Sequence, residues 1–379
     1  MTAAQGQPVP ARPSRKIVIC LDGTGNQMKA KGHTNVATLF EMLDLSDPTK
    51  QIGYYDPGVG TLSAANARGF AGRWFSRMCG LAFGSGMRTN LAEAYLFLMQ
   101  HWQPGDELYV FGFSRGAYTA RALVGMLNRP GLLRPGSENL VPYAVAQYAT
   151  NKTFSDDDRC NMAAFSHAFC WGTEAHPLTP AWQGDTYEMH WHSVPVTYLG
   201  VWDTVKAAGV LRLGNLHWPF THQLFNAKRI RHAVSLDEYR RPYHEYLGDP
   251  RHYGLDEAWF AGVHSDVGGT FEDDPRLAKI ALKWIVDGTV HDLYLREGAY
   301  ARQCTVEEAF ATGRRHKMGA AWVLAGVRRR KLPDTAKLHS SVRVLRSAQK
   351  GYLPKLVNAD RDDRWTDPDW TKPPETSRP

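Results

Sequence analysis

The stretch ELYVFGFSRGAYTARALVGML, residues 107–127, decides the architecture. Its opening, Glu107 to Phe111, carries the aliphatic and aromatic side chains of a buried strand. Gly112-Phe113-Ser114-Arg115-Gly116 breaks that run, and Ala117, Ala120, Leu123, Val124 and Leu127 then recur at helical spacing as far as Pro130. Strand, sharp turn and helix in this order predict a nucleophile elbow. The serine occupies a strained turn that flanking glycines permit, and its hydroxyl projects above the sheet edge. The competing reading of Ser114 is a plain helix cap.

Upstream, Ile17-Val18-Ile19-Cys20-Leu21 is a continuous apolar run that ends in Asp22-Gly23-Thr24-Gly25-Asn26, as a buried parallel strand does on entering a functional loop. Thr34 or Asn35 would cap a helix through Leu43, and Gly86 to Trp102 forms a second helix. Downstream, periodicity fades from Gly131 to about Ser193, where Trp171, Trp182 and Trp191 stand among polar residues. This segment reads as an insertion, about 131–193, that would act as a lid. Regular signals return with a strand from Val194 to Trp202, a helix near His222 to Val234, a strand from Ala258 to Val263 and an amphipathic helix from Pro275 to Val286. Strands alternating with helices predict an α/β protein of the α/β-hydrolase type: a mainly parallel sheet, helices on both faces, and catalytic groups at the strands' carboxyl ends. Residues 1–15 read as a flexible leader, 16–300 as the hydrolase domain, and 301–379 as a basic extension ending in a surface tail.

At 379 residues, with 43% hydrophobic and 22% charged side chains, the chain can bury a full core, which excludes disorder of the whole. No apolar run approaches the length of a membrane span and no secretory signal opens the chain, so the expectation is a soluble, cytoplasmic protein unless a signal-independent exporter takes it. Five scattered cysteines without a CxxC pair read as reduced thiols. The formal net charge of +7 is concentrated: residues 313–356 hold twelve Lys or Arg against one acid, Asp334. That segment reads foremost as a solvated face. It could also make peripheral contact with an anionic membrane surface, and with no nucleic-acid motif beside it nucleic acid is not an expected partner.

A serine hydroxyl needs a base to take its proton and a carboxylate to hold that base. In α/β-hydrolases both follow the serine, and Asp203 and His264 each directly follow an apolar strand, which would bring them to Ser114's edge of the sheet. The developing oxyanion needs N–H donors. Arg115 would give one through its backbone, and Gly23 or Thr24, in the loop after the first strand, a second. Asp22 and Asp266 are candidates for a supporting shell, with Asp266 tying down the histidine loop or binding a cation. Asp22-Gly23-Thr24 also suggests a metal-dependent phosphatase, but the position of that enzyme's nucleophile is Cys20 here.

Six ordered motifs make the reading more specific: Leu21-Asp22-Gly23-Thr24-Gly25-Asn26, Thr34-Asn35-Val36, Tyr55-Asp56-Pro57-Gly58-Val59-Gly60, Phe111-Gly112-Phe113-Ser114-Arg115-Gly116-Ala117, Trp202-Asp203-Thr204-Val205 and Gly262-Val263-His264-Ser265-Asp266-Val267-Gly268-Gly269. Over most of residues 16–290 the chain resembles the α/β-hydrolases grouped as domain of unknown function 2235, which include phospholipase effectors of bacterial type VI secretion. The resemblance implies a serine lipase, phospholipase or esterase with Ser114 as nucleophile, Asp203 as orienter and His264 as general base. It implies a lipid or other ester substrate, and serine-triad chemistry itself requires no cofactor or metal. Calcium is left open by the resemblance and supported by no compact oxygen-ligand loop. The alternatives are a non-catalytic hydrolase-fold module that binds lipid or protein and, behind it, the phosphatase.

Overall fold

The computed structural model describes residues 13–23, 33–58, 83–149, 155–172, 174–178, 189–206, 218–317, 319, 322, 326–352 and 362–374. Eight strands form one parallel sheet: β1 (Lys16–Leu21), β2 (Gln51–Asp56), β3 (Glu107–Phe113), β6 (Val196–Trp202), β7 (Ala227–Ser235), β8 (Leu255–Phe260), β9 (Lys337–His339) and β10 (Trp365–Thr366). Their order across the sheet is β10-β9-β8-β7-β6-β3-β1-β2. Strands buried on both faces must be apolar at successive positions, and β1 shows it. Ile17, Ile19 and Leu21 enter one core, Val18 and Cys20 the other.

The first core lies under α2 (Phe83–His101) and α3 (Arg115–Asn128). The second lies under α1 (Asn35–Met42) and α7 (Arg276–Asp287), with α6 (His264–Gly268) between β8 and α7. Thr34 caps α1 by accepting from the Ala37 N–H. Buried aromatic side chains keep their polar tips bonded: the Tyr198 hydroxyl donates to the Ile285 carbonyl at 2.7 Å and the Trp202 indole N–H to that of Ala281 at 3.2 Å, tying β6 to α7.

Three expectations are corrected. The helix expected near His222 to Val234 is the central strand β7. Its Lys228-Arg229-x-Arg231 pattern imitates a solvated helix, but Arg229 and Arg231 donate to the carbonyls of Gly288 and Trp284 at the carboxyl end of α7, where cations belong. His232 in the same strand is 1% exposed and bonded to Glu257 and Arg121. The expected surface tail is corrected in its described part: beyond residue 300 the described chain adds α8 (Ala299–Cys304), β9, α9 (Ser340–Ala348) and, within that tail, β10, extending the sheet at β8.

The described part of the insertion comprises α4 (Val141–Tyr148), α5 (Asp156–Phe169) and the antiparallel pair β4 (Glu174–Leu178) and β5 (Met189–Ser193). It packs against the carboxyl ends of α2 and α3, remote from Ser114. The Tyr95 hydroxyl donates to the Gly131 carbonyl at 2.8 Å, the Val194 N–H donates to Leu127, and Trp171 meets Trp102 edge-on. These contacts are those of a flank, so no described part of the insertion forms the expected lid, and Trp182 lies outside the described residues. Among the described residues no helix is long and apolar enough to cross a membrane. Cys20, Cys170 and Cys304 are buried free thiols, and burial pushes each of them to a higher pKa.

Candidate active site

The chain reverses its direction across the sheet between β1 and β3, the position at which a crevice opens at the strands' carboxyl ends. Ser114 sits there at φ 60° and ψ −122°, in the left-handed half of backbone space that a residue with a Cβ avoids. Gly112 and Gly116 permit the turn. A Cβ on Gly112 would lie 2.7 Å from the Gly116 carbonyl oxygen, and one on Gly116 would lie 2.2 Å from that of Leu21. Gly116→Ala is therefore expected to lower unfolding stability by about 3 kcal/mol or more, through overpacking against immovable backbone. Denaturant melts check this, and a loss below about 1 kcal/mol would contradict it.

Asp203 follows β6 with φ 40°, a second strained backbone at the same edge, and His264 opens the short helix after β8. The three side chains meet. His264 Nε2 lies 2.8 Å from Ser114 Oγ, and His264 Nδ1 lies 2.5 Å from Asp203 Oδ2. Phe113 stacks on the imidazole with ring centroids 4.6 Å apart, and Tyr243 meets it edge-on at 4.8 Å. The His264 backbone N–H donates to Glu238 at 3.2 Å, which fixes the start of α6. Ser114 is 7% exposed and His264 4%, so the hydroxyl and the imidazole meet in a water-poor setting.

Burial pushes the His264 pKa down and outweighs the Asp203 carboxylate, which pulls it up, so the imidazole is neutral near pH 7. With Nδ1–H donated to Asp203, its Nε2 lone pair faces the serine proton. Burial would raise the Asp203 carboxyl, but the Arg330 guanidinium and His264 outweigh it and hold Asp203 far below the usual carboxylate range.

Arg330 is the functional residue that sequence reasoning missed. Its side chain is 2% exposed and its Nη2 donates to Asp203 Oδ2 at 2.9 Å, while Nη1 donates to the other Asp203 oxygen, to the Ser235 carbonyl at 3.0 Å and to the Ser235 hydroxyl at 2.8 Å. A strap carries it into place: Val327 bridges Arg240, and the Arg328 N–H donates to Tyr239. In sequence Arg328-Arg329-Arg330 reads as a surface patch available to an anionic membrane. Arg328 and Arg329 are exposed, but Arg330 is not part of that surface. Only tertiary contact distinguishes it, since the three are identical locally.

The supporting residues divide. Asp266 accepts from the Val263 N–H at 2.9 Å and from the His316 backbone at 3.1 Å, and its other oxygen meets His316 Nδ1 at 2.5 Å, so it braces the histidine turn against the C-terminal segment. Asp22 accepts from the Tyr55 hydroxyl at 2.8 Å and from the Thr34 hydroxyl, bracing the loop after β1. Its other oxygen takes the Gly23 N–H at 2.6 Å. The Gly23 donor expected for the oxyanion is therefore spent on Asp22, and Thr24 lies outside the described residues. Arg115 begins α3, and burial lowers its side-chain pKa to about 10, leaving it cationic at neutral pH. The position of the phosphatase nucleophile is held by the buried thiol of Cys20, and Asp22 has its oxygens occupied by hydroxyl and amide donors. Among the described residues no group of three or more His, Cys, Asp or Glu side chains could hold a metal ion.

Residues 15–288 match the family model of the type VI secretion phospholipase effector Tle1-like catalytic domain. An uncharacterised protein of Saccharomyces cerevisiae is 31% identical over 243 residues, which is 63% of this chain and 33% of that protein. Among solved structures, an uncharacterised protein from Pseudomonas aeruginosa aligns over 79% of this chain and 50% of its own, at 16% identity and a TM-score of 0.41. The Tle1 effector bound to the VgrG spike of the type VI secretion system aligns over 72% and 55%, at 18% identity and a TM-score of 0.33. The chain thus spans about a third of the yeast relative and about half of each of these structures. With the family model covering well over half of its length, the chain belongs to the Tle1-like phospholipase effector family and carries that family's catalytic domain.

Proposed function

We propose that the protein is a serine hydrolase that cleaves carboxylic esters of lipids through an acyl-enzyme, with Ser114 as nucleophile, His264 as general base and Asp203 as the group that orients it. The observation that carries this reading is the unbroken chain of hydrogen bonds from Asp203 through His264 to Ser114. As Ser114 Oγ bonds to the ester carbonyl carbon, its proton passes to His264 Nε2, and Asp203 stabilises the imidazolium without taking the proton. Collapse of the tetrahedral intermediate breaks the bond to the alcohol, which leaves with the proton from Nε2. Water, deprotonated by the same nitrogen, then releases the acid and regenerates the serine. The backbone N–H of Arg115 and the positive end of α3 are the local donors for the oxyanion. No step calls on a metal. The preference for lipid esters draws its support from the family, and export without a cleaved signal belongs to the proposal on the same ground.

A fluorophosphonate probe should label the wild-type protein at Ser114 and leave Ser114→Ala unlabelled, while mass spectrometry of products from phospholipids, glycerides and short esters reports the bond cut. Labelling of both proteins would reject Ser114 as the nucleophile, and labelling of neither would favour a non-catalytic binding module. A pH profile gives a second check. Because burial lowers the His264 pKa, kcat/KM should fall on acidification through an apparent pKa below the ordinary histidine value of about 6.5. A midpoint clearly above it would contradict this base.

A further inference from the structure

A cavity of about 850 Å³ lies beside the candidate active site without opening on Ser114; the two share a wall at Val263 and Arg330. One side is the hydrolase sheet, through Leu236 and Trp259, and the other is the C-terminal segment, through Leu332 and Tyr352. Six Lys or Arg side chains line it against two acids, Asp237 and Asp334. Three of the six are spent on the protein. Arg330 holds Asp203; Arg364 donates to the carbonyls of Pro333 and Asp334; Arg315 stacks on Tyr352 at 4.2 Å and reaches Gln349 and Asp237. Asp237 is also spent, accepting from the Gly262 N–H at 2.7 Å and the Tyr352 hydroxyl at 2.9 Å.

That leaves Lys317, Arg329 and Lys350, all exposed and with no acidic partner among the described residues, around a concave wall that holds one further acid, Asp334. Like charges gathered in a hollow repel one another, and a bound anion relieves that repulsion. The volume is far larger than a bare anion requires, and Trp259, Leu236, Leu332 and Tyr352 offer apolar surface beside the charge. The complementary ligand is a multiply oxygenated anion attached to an organic body. We propose that this cavity binds a phosphate ester, either the headgroup of a phospholipid at a membrane surface or a free phosphate ester. The site lies outside the three catalytic candidates, so it stands whether or not they hydrolyse an ester.

The test uses the full chain carrying Ser114→Ala, so that turnover plays no part. Glycerol 3-phosphate is titrated calorimetrically, and vesicles of phosphatidylcholine with phosphatidylglycerol are tested by co-sedimentation. The combined change Lys317→Ser, Arg329→Ser and Lys350→Ser should weaken binding roughly 100-fold, at about fivefold per cation near an anionic surface. The control Lys50→Ser, Lys228→Ser and Arg302→Ser, remote from the cavity, should weaken it less than threefold, and the charge-conserving set Lys317→Arg, Arg329→Lys and Lys350→Arg should preserve it. Binding of vesicles alone assigns the ligand to a lipid headgroup, and binding of glycerol 3-phosphate to a free phosphate ester. The proposal is overturned if the parent binds neither probe, or if cavity and control variants lose affinity equally. Fluorophosphonate labelling of the wild type reports the hydrolase reading separately.

Discussion

Ser114→Ala should lower kcat for ester hydrolysis on the order of 10⁶-fold, the loss expected when the nucleophile of a serine, histidine and aspartate relay is removed. The change deletes one oxygen from a position that keeps its unusual backbone, so the fold and the acyl-binding surface should survive and KM should move little. What disappears is the oxygen 2.8 Å from His264 Nε2 that would form the covalent intermediate. Steady-state kinetics on a short-chain ester, with thermal melts to verify folding, decide the matter. A loss under tenfold in a well-folded variant would remove Ser114 from the chemistry.

Arg330→Met should be the most damaging change at a residue that touches no substrate. Removing one partner from a buried ion pair leaves the other charge uncompensated, typically at 3–5 kcal/mol, and the Asp203 carboxylate would keep only His264 and the Ser235 N–H and hydroxyl. Arg330→Lys restores the charge without the two-pronged geometry and should recover part of the loss. Both are measurable as shifts in denaturant midpoint. A purely structural role would end there, but a positioning role has a second signature. The imidazole faces Asp203, Glu238 and Arg240, with Tyr243 against its edge, and Arg330 offsets the Asp203 charge. Without Arg330 the protonated imidazole gains stability and its pKa rises. The acidic limb of kcat/KM should therefore move to higher pH in Arg330→Met and move back in Arg330→Lys. An unchanged limb would reduce Arg330 to a packing element.

Much of the architecture is legible along the chain because its signals are local. The continuous apolar run of β1 and the glycines around Ser114 each follow from one segment's own chemistry. The same holds for Thr34 at the start of α1 and for the amphipathic α7. The pairing of Asp203 and His264 with Ser114 was also within reach, since residues that end parallel strands must gather at one edge. Where local chemistry misleads, the cause is a long-range partner. Arg229 and Arg231 sit in a central strand because the carboxyl end of α7, more than fifty residues later, accepts from them. His232 is buried because Glu257 and Arg121 converge on it.

Hydrophobic periodicity, chain order and the glycine pattern were thus enough to specify a parallel α/β sheet and to single out Ser114, Asp203 and His264, because those features act through backbone geometry within or between neighbouring strands. Folding alone made Arg330 a buried partner of Asp203, committed the Gly23 N–H to Asp22 and curled the C-terminal cations around a cavity. Electrostatic partnerships of this kind depend on distance and solvent exclusion between segments far apart in the chain, and no local pattern records either.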